Sequence, residues 1–148
     1  MIGKSLGIRV TAIVLAGIFL VGCSSKQTAV KPPDPEVVLQ TIPAADPVQV
    51  ERIRDMKNWR NPYLIVRTDG VTLLDSADNA EITVKTDDLL AELARLPVSN
   101  WPYGRVVAAT EISARSSEQD AVAIRRNKGI VGGILASAHV AIKWVPGA

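Results

Sequence analysis

The spacing of apolar residues changes period several times along the chain, and each change predicts an element. In YLIVRTDGVTLLD, residues 63 to 75, β-branched, aliphatic and aromatic residues flank Asp69-Gly70, a dipeptide that favours tight hairpin turns. The pattern predicts strands near 63–68 and 71–75. After the turn-prone DSADN, apolar and polar residues alternate through Glu81-Ile82-Thr83-Val84-Lys85, as in a half-buried strand. The period then becomes helical: Leu89, Leu90, Leu93 and Leu96 form one stripe, Thr86 or Asp87 can cap it, and Pro97 stops it. NWPYG, residues 100–104, reads as a loop, and Arg105 to Thr110 as a strand whose apolar run suits a central position.

A polar stretch, SARSSEQD, leads into a helix expected from about Glu118 to Ala138. Acidic Glu118 and Asp120 lie in its first turn, and Ala121, Ile124, Val131, Leu135 and Ala138 can share a face. Gly129, Gly132 and Gly133 each cost about 1 kcal/mol relative to alanine within a helix, so a break or a closely packed neighbour is expected there. His139 to Val145 reads as a final strand ended by Pro146. Upstream, Asp46-Pro47 has the form of an N-cap followed by proline at the first helical position, predicting a short helix over roughly 47–58 that Asn61-Pro62 ends. The predicted class is α+β, a two-layer sandwich of a small mixed sheet with helices on one face.

The N-terminal pattern is of another kind. Lys4 and Arg9 precede twelve uncharged, mostly apolar residues, Val10 to Val21, a length suited to a signal peptide and short for a membrane span. Leu20-Val21-Gly22-Cys23 then resembles the lipobox of bacterial lipoproteins. The resemblance implies a diacylglyceryl group on the Cys23 thiol, cleavage before it and acylation of the new amine. With Ser24 rather than aspartate next, it implies the outer membrane, facing the periplasm, if the source is Gram-negative. Several acyl chains, at about 0.8 kcal/mol per buried methylene, hold a protein on a membrane essentially permanently. The expected organisation is a signal peptide over 1–22, a lipid-anchored linker over 23–47 and one α+β domain over 48–148. Residues 24–47 hold five of the nine prolines and no aromatic residue, although Val37, Val38 and Leu39 form an apolar patch that could dock on the domain.

Charge and cysteine count narrow the function. The chain has 17 Lys+Arg and 15 Asp+Glu, so removal of Lys4 and Arg9 with the signal leaves fifteen of each sign. No basic stripe remains to argue for nucleic acid. With Cys23 acylated no thiol is left for a disulfide or a cysteine metal site, and the single histidine, His139, excludes a histidine-rich one.

Two family resemblances follow from these segments. The run from LIVRTDGVTLL through ITVKTDDLLAELARL and VVAATE to HVAIKW is similar in element order and spacing to the periplasmic domain of ExbD/TolR-type energy-transducing proteins. Those proteins depend on a transmembrane helix bearing an aspartate, whereas this chain's apolar segment ends in the lipobox and holds no acid; the resemblance therefore implies a partner-binding or dimerising fold without proton coupling. Thr110-Glu111 followed by a helix with Val131, Leu135 and Val140 resembles OmpA-like peptidoglycan-binding domains. Aligned on those residues, Asn127 stands at the place of that family's arginine, Ile124 at that of its serine, and Arg126 one residue away.

No catalytic constellation emerges from the spacing. His139, between Ala138 and Val140, reads as structural; Ser113, Ser116 and Ser117 lack a G-x-S-x-G elbow; Asp87-Asp88 and Asp75-Asp78 lack calcium-loop spacing. Two features could bind. Glu111 to Gln119 joins a strand's C-terminal end to a helix N-terminus, where Arg115 and backbone amides favour anions. Trp101 and Tyr103, if exposed in NWPYG, could anchor a partner or stack on a sugar. The expectation is a lipid-anchored envelope protein that binds or scaffolds and is not an enzyme. No cofactor or metal is implied, and the partner would be an envelope protein or peptidoglycan. The alternative is an envelope enzyme or small-ligand carrier using the 111–119 loop.

Overall fold

The computed structural model describes residues 31–76, 80–112 and 117–146. The signal segment, Cys23, Asp78, Ser113, Arg115 and Ser116 lie outside them. The elements of the unit from Pro32 onward are α1 (Pro35–Gln40), α2 (Pro47–Arg52), β1 (Tyr63–Val66), β2 (Val71–Leu74), β3 (Glu81–Val84), α3 (Leu89–Arg95), β4 (Val106–Glu111), α4 (Glu118–Ser137) and β5 (Ala141–Trp144), with one-turn 3-10 helices at Met56–Asn58, Thr86–Asp88 and Val98–Asn100.

The five strands form one mixed sheet in the order β3-β2-β1-β4-β5, and the fold is α+β. β1 pairs antiparallel with β2, and β2 with β3; β4 runs parallel to both β1 and β5. The hairpin forms where the Asp69-Gly70 signal lies. Arg67 N–H donates to the Gly70 carbonyl at 2.9 Å, which puts Thr68-Asp69 at the turn's centre. Gly70 is required there: its φ is +151°, and a Cβ on it would stand 2.5 Å from the Val84 carbonyl oxygen.

Side chains alternate across β4 and so define two cores. Val107 and Ala109 face a large cluster with Leu64, Leu73, Leu89, Leu93, Val131 and Leu135, which α1, α3 and α4 cover. Val106 and Ala108 face a smaller cluster with Val50 and Trp59, which α2 and the Met56–Asn58 turn supply. α3 and α4 thus lie on one face as expected, joined there by α1, whose residues were expected to be linker, while α2 lies on the other face.

The expected linker ends much earlier than residue 47. Leu39 is fully buried and Ile42 is 3% exposed, both within the large core, and α1 packs on α3. The local signal is a second Asp-Pro: Asp34 Oδ1 accepts Glu36 N–H at 3.0 Å with Pro35 at the first helical position, as Asp46 accepts Val48 N–H ahead of Pro47. The expected 47–58 helix is two pieces. It leaves helical geometry at Ile53, and Asp55 caps the next turn through Lys57 N–H at 3.0 Å.

α4 starts in a reciprocal capping box, Ser117 Oγ accepting Asp120 N–H and an Asp120 carboxylate oxygen accepting Ser117 N–H, both at 3.1 Å. It then runs unbroken through Gly129, Gly132 and Gly133. A Cβ on any of the three would meet nothing within 4 Å, so neither the expected break nor an intramolecular close approach accounts for them. The helix ends in a Schellman motif: Val140 N–H donates to Leu135 O at 2.8 Å and His139 N–H to Ala136 O at 3.1 Å. His139 occupies the left-handed position with φ 56°, where glycine is usual.

Candidate functional site

Of the aromatics of NWPYG, Trp101 is buried and Tyr103 is half-buried. Trp101 is 3% exposed and belongs to the large core, with its indole N–H buried and without a hydrogen-bond partner. Tyr103 is directed to the other core, its ring centroid 5.4 Å from that of Trp59 and its hydroxyl donating to Asn58 O at 2.8 Å. The loop therefore clasps the sheet from both sides. Its shape depends on Asn61, a fully buried residue that the sequence marks only as a helix end: its Nδ2 donates to Gly104 O and Val106 O, each at 2.7 Å, and its Oδ1 accepts Tyr103 N–H at 3.0 Å. Gly104, at φ +78°, leaves no room for a Cβ, which would lie 2.8 Å from Ala44 O.

Glu111 sits at the end of β4 with an intramolecular partner, Lys128 Nζ at 3.2 Å. The same ammonium lies 4.6 Å from the ring centroid of Trp144 in β5, a cation–π contact. Lys128 thus joins α4 to two neighbouring strands, and Glu111 serves that tie. Arg115 lies outside the described residues. The position equivalent to the peptidoglycan-binding arginine is also structural, since Asn127 Nδ2 donates to Arg67 O at 2.8 Å and Thr68 O at 3.1 Å, fastening α4 to the hairpin. Ile124, at the serine's place, is 4% exposed.

A surface that the sequence did not mark lies where α2 meets the outer side of β5. A cleft of about 350 Å³ there has an apolar floor from Val50, Val106 and Ala141 and a polar wall from Arg105, His139 and Lys143. An adjoining depression of about 300 Å³ shares Glu51 and Lys143 with it and adds Arg54, Met56 and Trp144. Two cationic groups also build the cleft. Arg105 Nε donates to His139 O at 2.8 Å, and Lys143 Nζ to Val50 O at 2.8 Å, which pins α2 over the sheet. Each keeps further N–H donors, and Glu51 is the acid among the cleft's lining residues. An apolar floor beside guanidinium and ammonium donors suits an extended peptide carrying carboxylates. No local motif announces this site, because it joins residues 50, 105 and 143 by folding alone.

Among the described residues, no group of three or more His, Cys, Asp or Glu side chains is placed to hold a metal, and no helix is long and apolar enough to cross a membrane. The chain matches no protein family, no curated protein and no solved structure.

Proposed function

We propose that this chain is an exported lipoprotein of the cell envelope whose α+β unit acts by binding rather than catalysis, holding a carboxylate-bearing peptide segment in the cleft between α2 and β5. The observation that carries the anchoring is the order of Lys4 and Arg9, the apolar run to Val21, and Gly22-Cys23. The cleft supports the binding: it is shallow, cationic and apolar-floored, whereas Trp101, Tyr103 and Glu111 are engaged within the fold. The segment belongs to an envelope protein or to the peptide stems of peptidoglycan, which share carboxylate chemistry.

Two measurements test this reading. Cys23→Ser should move the protein out of the membrane fraction and abolish incorporation of a fatty-acid analogue; continued labelling refutes the anchor. A photo-crosslinking residue at Arg54 or Trp144 should capture a discrete partner in intact cells, and sedimentation with purified peptidoglycan separates the two sources. Adducts arising instead from position 122, on the outer side of α4, would move the binding surface away from the cleft.

A further inference from the structure

We propose that the edge of β3 left unpaired among the described residues is a homodimer interface, in which two copies pair antiparallel about Thr83 and extend the five-stranded sheet into a continuous ten-stranded one. β3 is an outer strand, and Glu81, Ile82 and Thr83 are exposed along it, as is Lys85 just beyond. An open edge is a template for further pairing unless its side chains oppose it. Here they favour it.

The ladder fixes which backbone groups are free. Asp75 N–H donates to Ala80 O at 3.0 Å, so Asp75–Ala80 is a hydrogen-bonded pair, and with it Leu73–Ile82 and Val71–Val84 in the same register. The N–H and C=O groups of Glu81 and Thr83 therefore point outward. Lys85 is still extended, at φ −69° and ψ 149°, which carries the outward pattern on to its N–H. A two-fold axis at Thr83 lets the two Thr83 residues exchange both bonds, and lets each Lys85 N–H reach Glu81 O of the second copy. The Lys85 carbonyl already accepts Asp88 N–H at 3.1 Å and is not needed.

The side chains obey the same symmetry. Glu81-Ile82-Thr83-Val84-Lys85 has opposite charges equidistant from its centre, so antiparallel pairing sets each Glu81 against a Lys85 and Ile82 against Val84. Neither Glu81 nor Lys85 has an ion pair among the described residues. Ile82, 41% exposed, would gain apolar cover. The opposite edge lacks this complementarity. Ala141 and Val145 donate inward to β4, so Ile142 and Trp144 point their backbone groups outward, and a two-fold axis at Ile142 would set Lys143 against Ala141 and one at Trp144 would set it against Val145, neither of which offers the ammonium a carboxylate.

Two such short edges bury less than the roughly 1,200 Å² of stable complexes, so association is concentration-dependent. The proposal depends neither on the lipid anchor nor on the cleft.

The test uses the full chain, purified at high concentration, with Thr83→Cys. Hydrogen-bonded antiparallel partners have Cα atoms about 5.5 Å apart, within the range a disulfide spans. Mild oxidation should yield a covalent dimer well above the wild-type background from Cys23, and above that of Val98→Cys, an exposed position away from the edge. Adding Glu81→Lys, which places like charges opposite, should cut the yield about fivefold or more, and adding Lys85→Glu to that variant should restore it. Crosslinking of Thr83→Cys no faster than at position 98, or a charge reversal without effect in a chain that melts normally, overturns the proposal. A double swap that stays low does the same.

Discussion

The side-chain oxygen of Asn61 accepts the backbone N–H of Tyr103 at 3.0 Å, across 42 residues of sequence, while its amide nitrogen serves two carbonyls of the same loop. Asn61 itself is fully buried, the bond to Val106 O is buried and the other two are partly buried. Asn61→Ala strands one donor and two acceptors and should cost about 2 kcal/mol or more. Asn61→Asp should also destabilise, since a carboxylate cannot donate to the Gly104 and Val106 carbonyls. Chemical denaturation of the two variants beside the wild type checks this; a loss under about 0.5 kcal/mol for both would show the loop to be held elsewhere.

Leu39 belongs to the folded unit, which reverses the tether expectation for residues 35–46. Leu39→Ala should destabilise by about 2–5 kcal/mol, the usual cost of emptying a leucine site in a core. Val37→Ala, at a position 60% exposed, should change little. A chain beginning at Asp46 should accordingly melt well below one beginning at Lys31. Equal melting temperatures would restore the linker reading.

The glycines of α4 should be replaceable with a gain. Gly129 and Gly133 are exposed and have open space where a Cβ would stand, so Gly129→Ala and Gly133→Ala should each stabilise by about 0.5–1 kcal/mol. A thermal melt reads the sign directly. Stabilisation accompanied by loss of the cellular phenotype would identify a partner that packs on this bare helix surface.

His139 holds a left-handed conformation that costs a side-chain-bearing residue about 1 kcal/mol relative to glycine. His139→Gly should therefore raise stability and His139→Val lower it, β-branching being worst tolerated at positive φ. Since the imidazole also lines the cleft, partner binding by His139→Gly separates its conformational role from a contact role. A destabilised glycine variant would mean that the ring contributes packing which outweighs the backbone cost.

Local chemistry was legible wherever a short stretch dictates its own conformation. The hairpin at Asp69-Gly70, the leucine stripe over Leu89 to Leu93 and the N-terminus of α4 at Ser117 are fixed by turn preference, periodicity and capping between neighbours. The α+β class followed from the order of those pieces. Proline content misled at residues 35–46, because the residue counts the same whether it stiffens a linker or opens a helix, and only Leu39 in the core decides which. Tertiary packing also decided which groups were already engaged. Trp101 and Tyr103 stand two apart in a loop yet enter cores on opposite faces of the sheet, and Glu111 is matched by Lys128 from the next helix. The cleft of Arg105, His139 and Lys143 over Val50 has no sequence signature, since its residues converge only when α2 is laid against β5. Periodicity and caps act over a few residues and leave a mark in the sequence; burial and charge pairing act between distant segments, and the fold alone brings those together.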